Sequence, residues 1–254
     1  MGAPCSCARP SRKQVSELPP VIQCKSFSNL LPYTPDLDFT GIRQELLTYL
    51  VANDKDISTK VQVLFQRAIN FPDEGLREFD IEHWQARESD WPHFLRLLYT
   101  GRFACRLRLE QVSLSATAFE ILCRGVSVLK ELKILQLTHL ALGMYSTERV
   151  VRAVAGLKWL EIVNFAGNSI GAAFVDSLFK HLPRPSYLHE CILDENDIND
   201  IGALVLAQIL PQHPQLQVLS LHLNPLTPQG IALLLPFQSP LLDLQLPEVL
   251  PYIG

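Results

Sequence analysis

The chain has little of what most functional classes depend on. Basic side chains are in the minority: 22 lysines and arginines face 26 aspartates and glutamates in 254 residues, a formal net charge of -4. Nucleic-acid binding rests on clustered cations against phosphates, so this balance argues against it. No apolar run approaches the roughly 18–20 residues that a bilayer span needs, and the first residues lack the apolar core of a secretory signal. The six cysteines, Cys5, Cys7, Cys24, Cys105, Cys123 and Cys191, form neither a disulfide framework nor paired C-x2-C metal spacing. No N-x-[ST] glycan acceptor occurs. A reducing, cytoplasmic setting is the expectation.

What the chain does have is a repeat. From Leu216 it reads Leu216-x-x-Leu219-x-Leu221-x-x-Asn224-x-Leu226, and the same spacing starts at Leu188 (Cys191, Leu193, Asn196, Ile198) and at Leu160 (Val163, Phe165, Asn168, Ile170). The step is 28 residues. Continuing backwards gives units at Leu132, Ala104 and Leu76, and a shortened unit follows at Leu241. In the second half of each unit apolar residues recur at helical spacing, as in Trp91/Phe94/Leu95/Leu98, Phe119/Leu122/Cys123/Val126, Val175/Leu178/Phe179/Leu182 and Ala203/Leu206/Ala207/Leu210. Each unit therefore predicts a short strand, a turn and a helix, too small to bury its own apolar face and completed by its neighbours.

The pattern L-x-x-L-x-L-x-x-N-x-I/L, with a glycine opening the helix at Gly202 and Gly230, resembles the ribonuclease-inhibitor-like class of leucine-rich repeats over residues 76–246. The resemblance implies an α/β fold: a right-handed solenoid with a curved parallel sheet on the concave face and helices on the convex face. The asparagine position departs from it as Trp84, Val112 and Leu140 in the first three units, where the turns should differ locally. Cys123 and Cys191 fall on core positions, which leaves Cys105 as the partly exposed cysteine of the repeats.

Three segments flank or complete this domain of residues 76–254. Residues 38–75 carry two amphipathic stretches, Ile42/Leu46/Leu47/Leu50 and Val61/Leu64/Phe65/Ala68/Ile69, with Ser58 placed to cap the second; they predict a helical N-terminal cap. The Leu241 unit and the tail Pro247…Pro251 are expected to close the other end. Residues 1–37 form a proline-rich arm that opens Met1-Gly2-Ala3-Pro4-Cys5-Ser6-Cys7 and satisfies the pattern for N-myristoylation of Gly2. Cys5 and Cys7 would supply palmitate as the second signal that one myristoyl chain needs, and Arg9, Arg12 and Lys13 would meet anionic lipid.

On each strand the third, fifth, seventh and eighth positions of the unit point away from the core. They read as an acidic first unit (Glu78, Asp80, Glu82), a basic second unit (Arg106, Arg108) and an acidic fifth (Glu190, Asp194, Glu195). The expected partner-binding set is Arg106, Arg108, Ile134, Gln136, Ile162, Asn164, Ile192 and Val218, centred on the four apolar members. No catalytic residue is assigned. The signatures G-x-S-x-G, P-loop and H-E-x-x-H do not occur. The acidic run Asp194–Asp200 has Ile198 and Asn199 where a calcium loop needs a ligand and a glycine. His83, His139 and His222 fall in separate units. No cofactor or metal is expected. The reading is a non-enzymatic scaffold or adaptor with a protein partner, cytoplasmic and tethered to a membrane through its acylated N-terminus. The alternatives are an inhibitor or activator of an enzyme such as a small GTPase, although nothing marks Arg149 or Arg152 as a reactive arginine, or a bacterial effector that engages a host protein.

Overall fold

The computed structural model describes residues 39–247 apart from 54, 146, 184 and 185. The proline-rich arm, with Gly2, Cys5 and Cys7, and the tail beyond Pro247 lie outside the described residues. The described residues belong to one compact unit.

Helices come first: α1 (Phe39–Asn53), α2 (Thr59–Asn70) and the single turn α3 (Pro72–Gly75). In α2 the apolar face Val61, Leu64, Phe65, Ala68 and Ile69 is buried, which fixes how it meets the next element. Ser58 stands at its N-cap position in extended conformation, but its side chain makes no cap hydrogen bond. Its backbone N–H instead donates to Asp90 Oδ1 at 3.0 Å. Asp90 has no exposed surface and also accepts the Arg87 backbone N–H and guanidinium, both at 3.0 Å. Burial would raise the Asp90 pKa, but hydrogen bonds from Arg87 and Ser58 outweigh it and hold the carboxyl below its ordinary range. One charged side chain thus ties the helical segment to the first repeat.

Strand and helix then alternate: β1 (Glu78–Glu82), α4 (Asp90–Thr100), β2 (Arg106–Glu110), α5 (Ala116–Val128), β3 (Ile134–Thr138), α6 (Thr147–Val154), β4 (Ile162–Asn164), α7 (Ala172–His181), β5 (Glu190–Ile192), α8 (Asp200–Ile209), β6 (Val218–Ser220), α9 (Pro228–Leu234) and β7 (Asp243–Gln245). The strands form one parallel sheet in chain order. Register follows the 28-residue step, Glu78↔Arg106↔Ile134↔Ile162↔Glu190↔Val218, and closes on Asp243 through the shortened last unit. Alternation on the strands buries Phe79 and Ile81, Leu107 and Leu109, Leu135 and Leu137, then Val163, Cys191 and Leu219 against the helices. A buried side chain of this size contributes roughly 1.5–3 kcal/mol. Trp91, Phe94, Phe119, Leu122, Phe174, Val175 and Leu178 meet them from the helix side, all buried. Each unit completes its core on both neighbours.

The turn after each strand shares one feature in all six full units. His83, Gln111, His139, Gly167, Glu195 and Leu223 have φ between +50° and +69°, a left-handed backbone that costs a non-glycine residue roughly 1–2 kcal/mol. In the first five a hydrogen bond into the next unit offsets it: the N–H donates to the carbonyl of the seventh position one unit on, from His83 to Glu110 at 2.9 Å through Glu195 to His222 at 2.9 Å. The left-handed residue thus occurs with or without asparagine at the ninth position, while the turns differ around it: Ala141 and Ser169 are also left-handed in the third and fourth units, and only the later turns are bonded by an asparagine of their own. Strand length differs as well. Strands β1 to β3 run for 5 residues and β4 to β6 for 3.

Buried asparagines explain the later units. Asn196 Nδ2 donates to the carbonyls of Phe165, Leu193 and Asp194, while its Oδ1 accepts the N–H groups of Asn168 and Ile170. Asn168 and Asn224 repeat this one unit to either side. At the same position Trp84, Val112 and Leu140 are buried as apolar filler, with Trp84 against Trp91 (centroids 5.2 Å) and Phe94 (5.8 Å).

The cysteine assignments change. Cys105 is buried at 8 % exposure, its thiol donating to the Arg77 carbonyl at 3.4 Å, and Cys191 is fully buried. Cys123 is the half-buried one, because it sits at the flank of the α5 face formed by Phe119, Leu122 and Val126. Among the described residues no helix is long and apolar enough to cross a membrane.

Candidate functional site

One face of the sheet packs on the helices; among the described residues nothing covers the other. Three rows of side chains cross that open face, set by the register. The first row runs Glu78, Arg106, Ile134, Ile162, Glu190, Val218, Asp243, and the second Asp80, Arg108, Gln136, Asn164, Ile192, Ser220, Gln245. A third, from the strand ends, begins Glu82, Glu110, Thr138.

Ile134 and Ile162 are register partners and both half-exposed, so they form one apolar spot. The expected four-residue centre does not form. Glu190 stands between Ile162 and Val218 in the first row, and Ile192 lies in the second row between Asn164 and Ser220. A sequence offset of 28 puts residues in one row only when they share a position in the unit; Ile192 does not share it with the other three.

The basic second unit is also not free. The Arg108 guanidinium bonds Asp80 at 3.2 Å and contacts Glu82 and Glu110. Burial alone would lower its pKa; the three carboxylates outweigh that and hold it above the ordinary value. Arg106 donates to Gln136 Oε1 at 3.3 Å. The charges that looked segregated along the sequence meet across neighbouring strands. Asn164 is turned inward on its own chain, its Oδ1 accepting the Ala166 N–H at 2.9 Å.

At the other end Asp194 Oδ1 accepts the Ser220 hydroxyl at 2.6 Å and the His222 N–H at 2.8 Å. Ser220 and Thr138, expected to face outward, are 2 % and 7 % exposed. Thr138 Oγ1 is buried with no hydrogen-bond partner. Among the described residues the outward positions carry eight carboxylates (Glu78, Asp80, Glu82, Glu110, Glu190, Asp194, Glu195, Asp243) against the two arginines. These described positions are thus net acidic by six charges, more than the -4 of the whole chain.

One exposed feature was not singled out from the sequence. Trp159 and Tyr187, each immediately before the first leucine of its unit, are 45 % and 50 % exposed and pair with centroids 5.2 Å apart. Their 28-residue separation was the available signal.

Among the described residues no group of three His, Cys, Asp or Glu side chains has metal-binding geometry. Burial pushes the Cys123 thiol up to about 12 and the Cys191 thiol higher still, so neither supplies a thiolate near neutrality. No protein-family model and no curated protein matches the sequence.

Proposed function

We propose that this chain is a protein-interaction module of the leucine-rich-repeat kind, in the ribonuclease-inhibitor-like class, that holds a protein partner on the concave face of its sheet. In this reading α1 to α3 cap the first repeat, and the acylation signal at Gly2, Cys5 and Cys7 tethers the module to a membrane as an adaptor. The observation that carries it is the open sheet face, with the half-exposed Ile134–Ile162 pair at its middle and charged groups around it. Small apolar centres rimmed by polar groups are what interfaces bury.

The test is quantitative affinity capture from eukaryotic cell extract with three forms of the full chain: unchanged, Ile134→Asp with Ile162→Asp, and Lys180→Ala on α7 as a helix-face control. Circular dichroism and thermal unfolding establish that each is folded. Partners lost only with the sheet-face variant support the reading; partners retained by it overturn it. Gly2→Ala, with the mass of the N-terminal peptide, tests the tether separately. The alternative of an enzyme regulator uses the same face and is distinguished by whether the captured partner's activity changes on binding.

A further inference from the structure

The charge on the open face identifies a class of partner. Eight carboxylates and two arginines stand at its described outward positions; Arg108 is paired with Asp80, Glu82 and Glu110, while Arg106 donates to the neutral Gln136 and keeps its charge. Among the described residues Glu190, Asp194, Glu195 and Asp243 have no lysine or arginine within ion-pair distance. A face of this kind repels an acidic surface, including a second copy of itself, and attracts a cationic one.

The layout is more specific than net charge. Carboxylates gather on β1 and β2 at one end and on β5 with its following turn at the other; between them β3 and β4 present Ile134 and Ile162. From β2 to β5 is three strand spacings, about 14 Å. An extended segment laid across the strands covers that distance in roughly four residues.

We propose that the open face of the sheet takes a basic segment of a protein partner, one that seats an apolar side chain on Ile134–Ile162 and places lysines or arginines over the carboxylates on either side. This rests on the protein-binding reading above and adds the chemistry of what binds.

The experiment is fluorescence anisotropy on the full chain with a short labelled peptide carrying arginines on both sides of a single leucine. Its counterparts replace the arginines by glutamine, the arginines by glutamate, or the leucine by glycine. The arginine–leucine peptide should bind, and its affinity should fall as salt rises. Losing the leucine should weaken it roughly tenfold. Glu190→Gln with Glu195→Gln should weaken it about threefold. Equal binding of the glutamine and arginine peptides, or indifference to the Glu190/Glu195 change, overturns the proposal. So does free spermine displacing the peptide at the peptide's own affinity, because a small polycation would then be the ligand. If no peptide binds while captured partners are still lost on Ile134→Asp with Ile162→Asp, the basic-segment proposal falls and the interaction module stands. If that variant loses no partner, the module reading itself has failed.

Discussion

Asn196→Ala should cost the protein about 2–6 kcal/mol, and the hydrogen bonds show where that comes from. Removing the side chain deprives three carbonyls of a donor, yet none becomes an orphan. Phe165 O keeps Asn168 Nδ2 at 2.9 Å, Leu193 O keeps Asn224 Nδ2 at 2.8 Å, and Asp194 O keeps the Gly167 N–H at 3.0 Å. The loss falls on the two amides that donated to Asn196 Oδ1, those of Asn168 (3.0 Å) and Ile170 (3.1 Å), both buried. A buried group left unpaired costs roughly 1–3 kcal/mol. Asn168→Ala should be worse, since it orphans the Leu140 and Leu142 amides and also the Leu137 carbonyl. Asn196→Leu is the sharper variant. It supplies the apolar filler that Leu140 provides in the third unit and still leaves both amides unpaired. Equilibrium unfolding in urea measures the loss, and hydrogen exchange should show faster exchange at Asn168 and Ile170 than at core strand amides. Should Asn196→Leu fall within about 1 kcal/mol of the parent with those two amides still protected, the asparagines are not what holds the later turns.

Four further outcomes follow from single positions. Gly171→Ser should stabilise by about 0.5–1 kcal/mol in thermal unfolding: Gly171 has an extended backbone, a Cβ there would make only an ordinary contact with the Asp197 carbonyl at 3.6 Å, and the matching residues Ser115, Asn199 and Thr227 each cap their helix. Thr138→Val should raise stability by about 1 kcal/mol in the free protein, because it deletes a buried hydroxyl that has no partner. Asp90→Asn should destabilise by about 1–3 kcal/mol at neutral pH, measured by urea unfolding. Because the folded Asp90 pKa is depressed, its contribution is complete above the unfolded carboxylate range and is lost as pH falls through the folded value; the gap between parent and variant should close there. Cys105, Cys123 and Cys191, whose thiols burial pushes up, should resist a thiol reagent in the native state and react once the chain is unfolded; labelling followed by peptide mapping checks it.

The helix-side core was legible because two periods coincide. Leu160, Val163 and Phe165 alternate as a strand, and Val175, Leu178 and Phe179 follow as a helix face, so both buried surfaces could be read before any contact was known. The 28-residue step fixed which strands would be neighbours and in what register, and it gave the adjacency of Ile134 and Ile162. Local spacing misled where exposure depends on a helix's rotation about its axis, as at Cys123, or on what the next strand contributes, as at Thr138 and Ser220.

The turns and the charges belong to the tertiary structure. A left-handed residue at His83, Gln111 or His139 has no glycine to announce it; the hydrogen bond to the next unit selects that conformation, and the bond exists only once the units are stacked. Arg108 reads as the basic centre of its own unit, yet Asp80 and Glu82 of the preceding strand and Glu110 of its own converge on its guanidinium. Sequence order separates Asp80 from Arg108 by a whole repeat, and the sheet sets them side by side. The sequence alone therefore determined the repeat, the strand order and the buried faces, which follow from periodicity. Only the folded sheet decided which charges of its open surface are paired, because ion pairing is a property of neighbours in space.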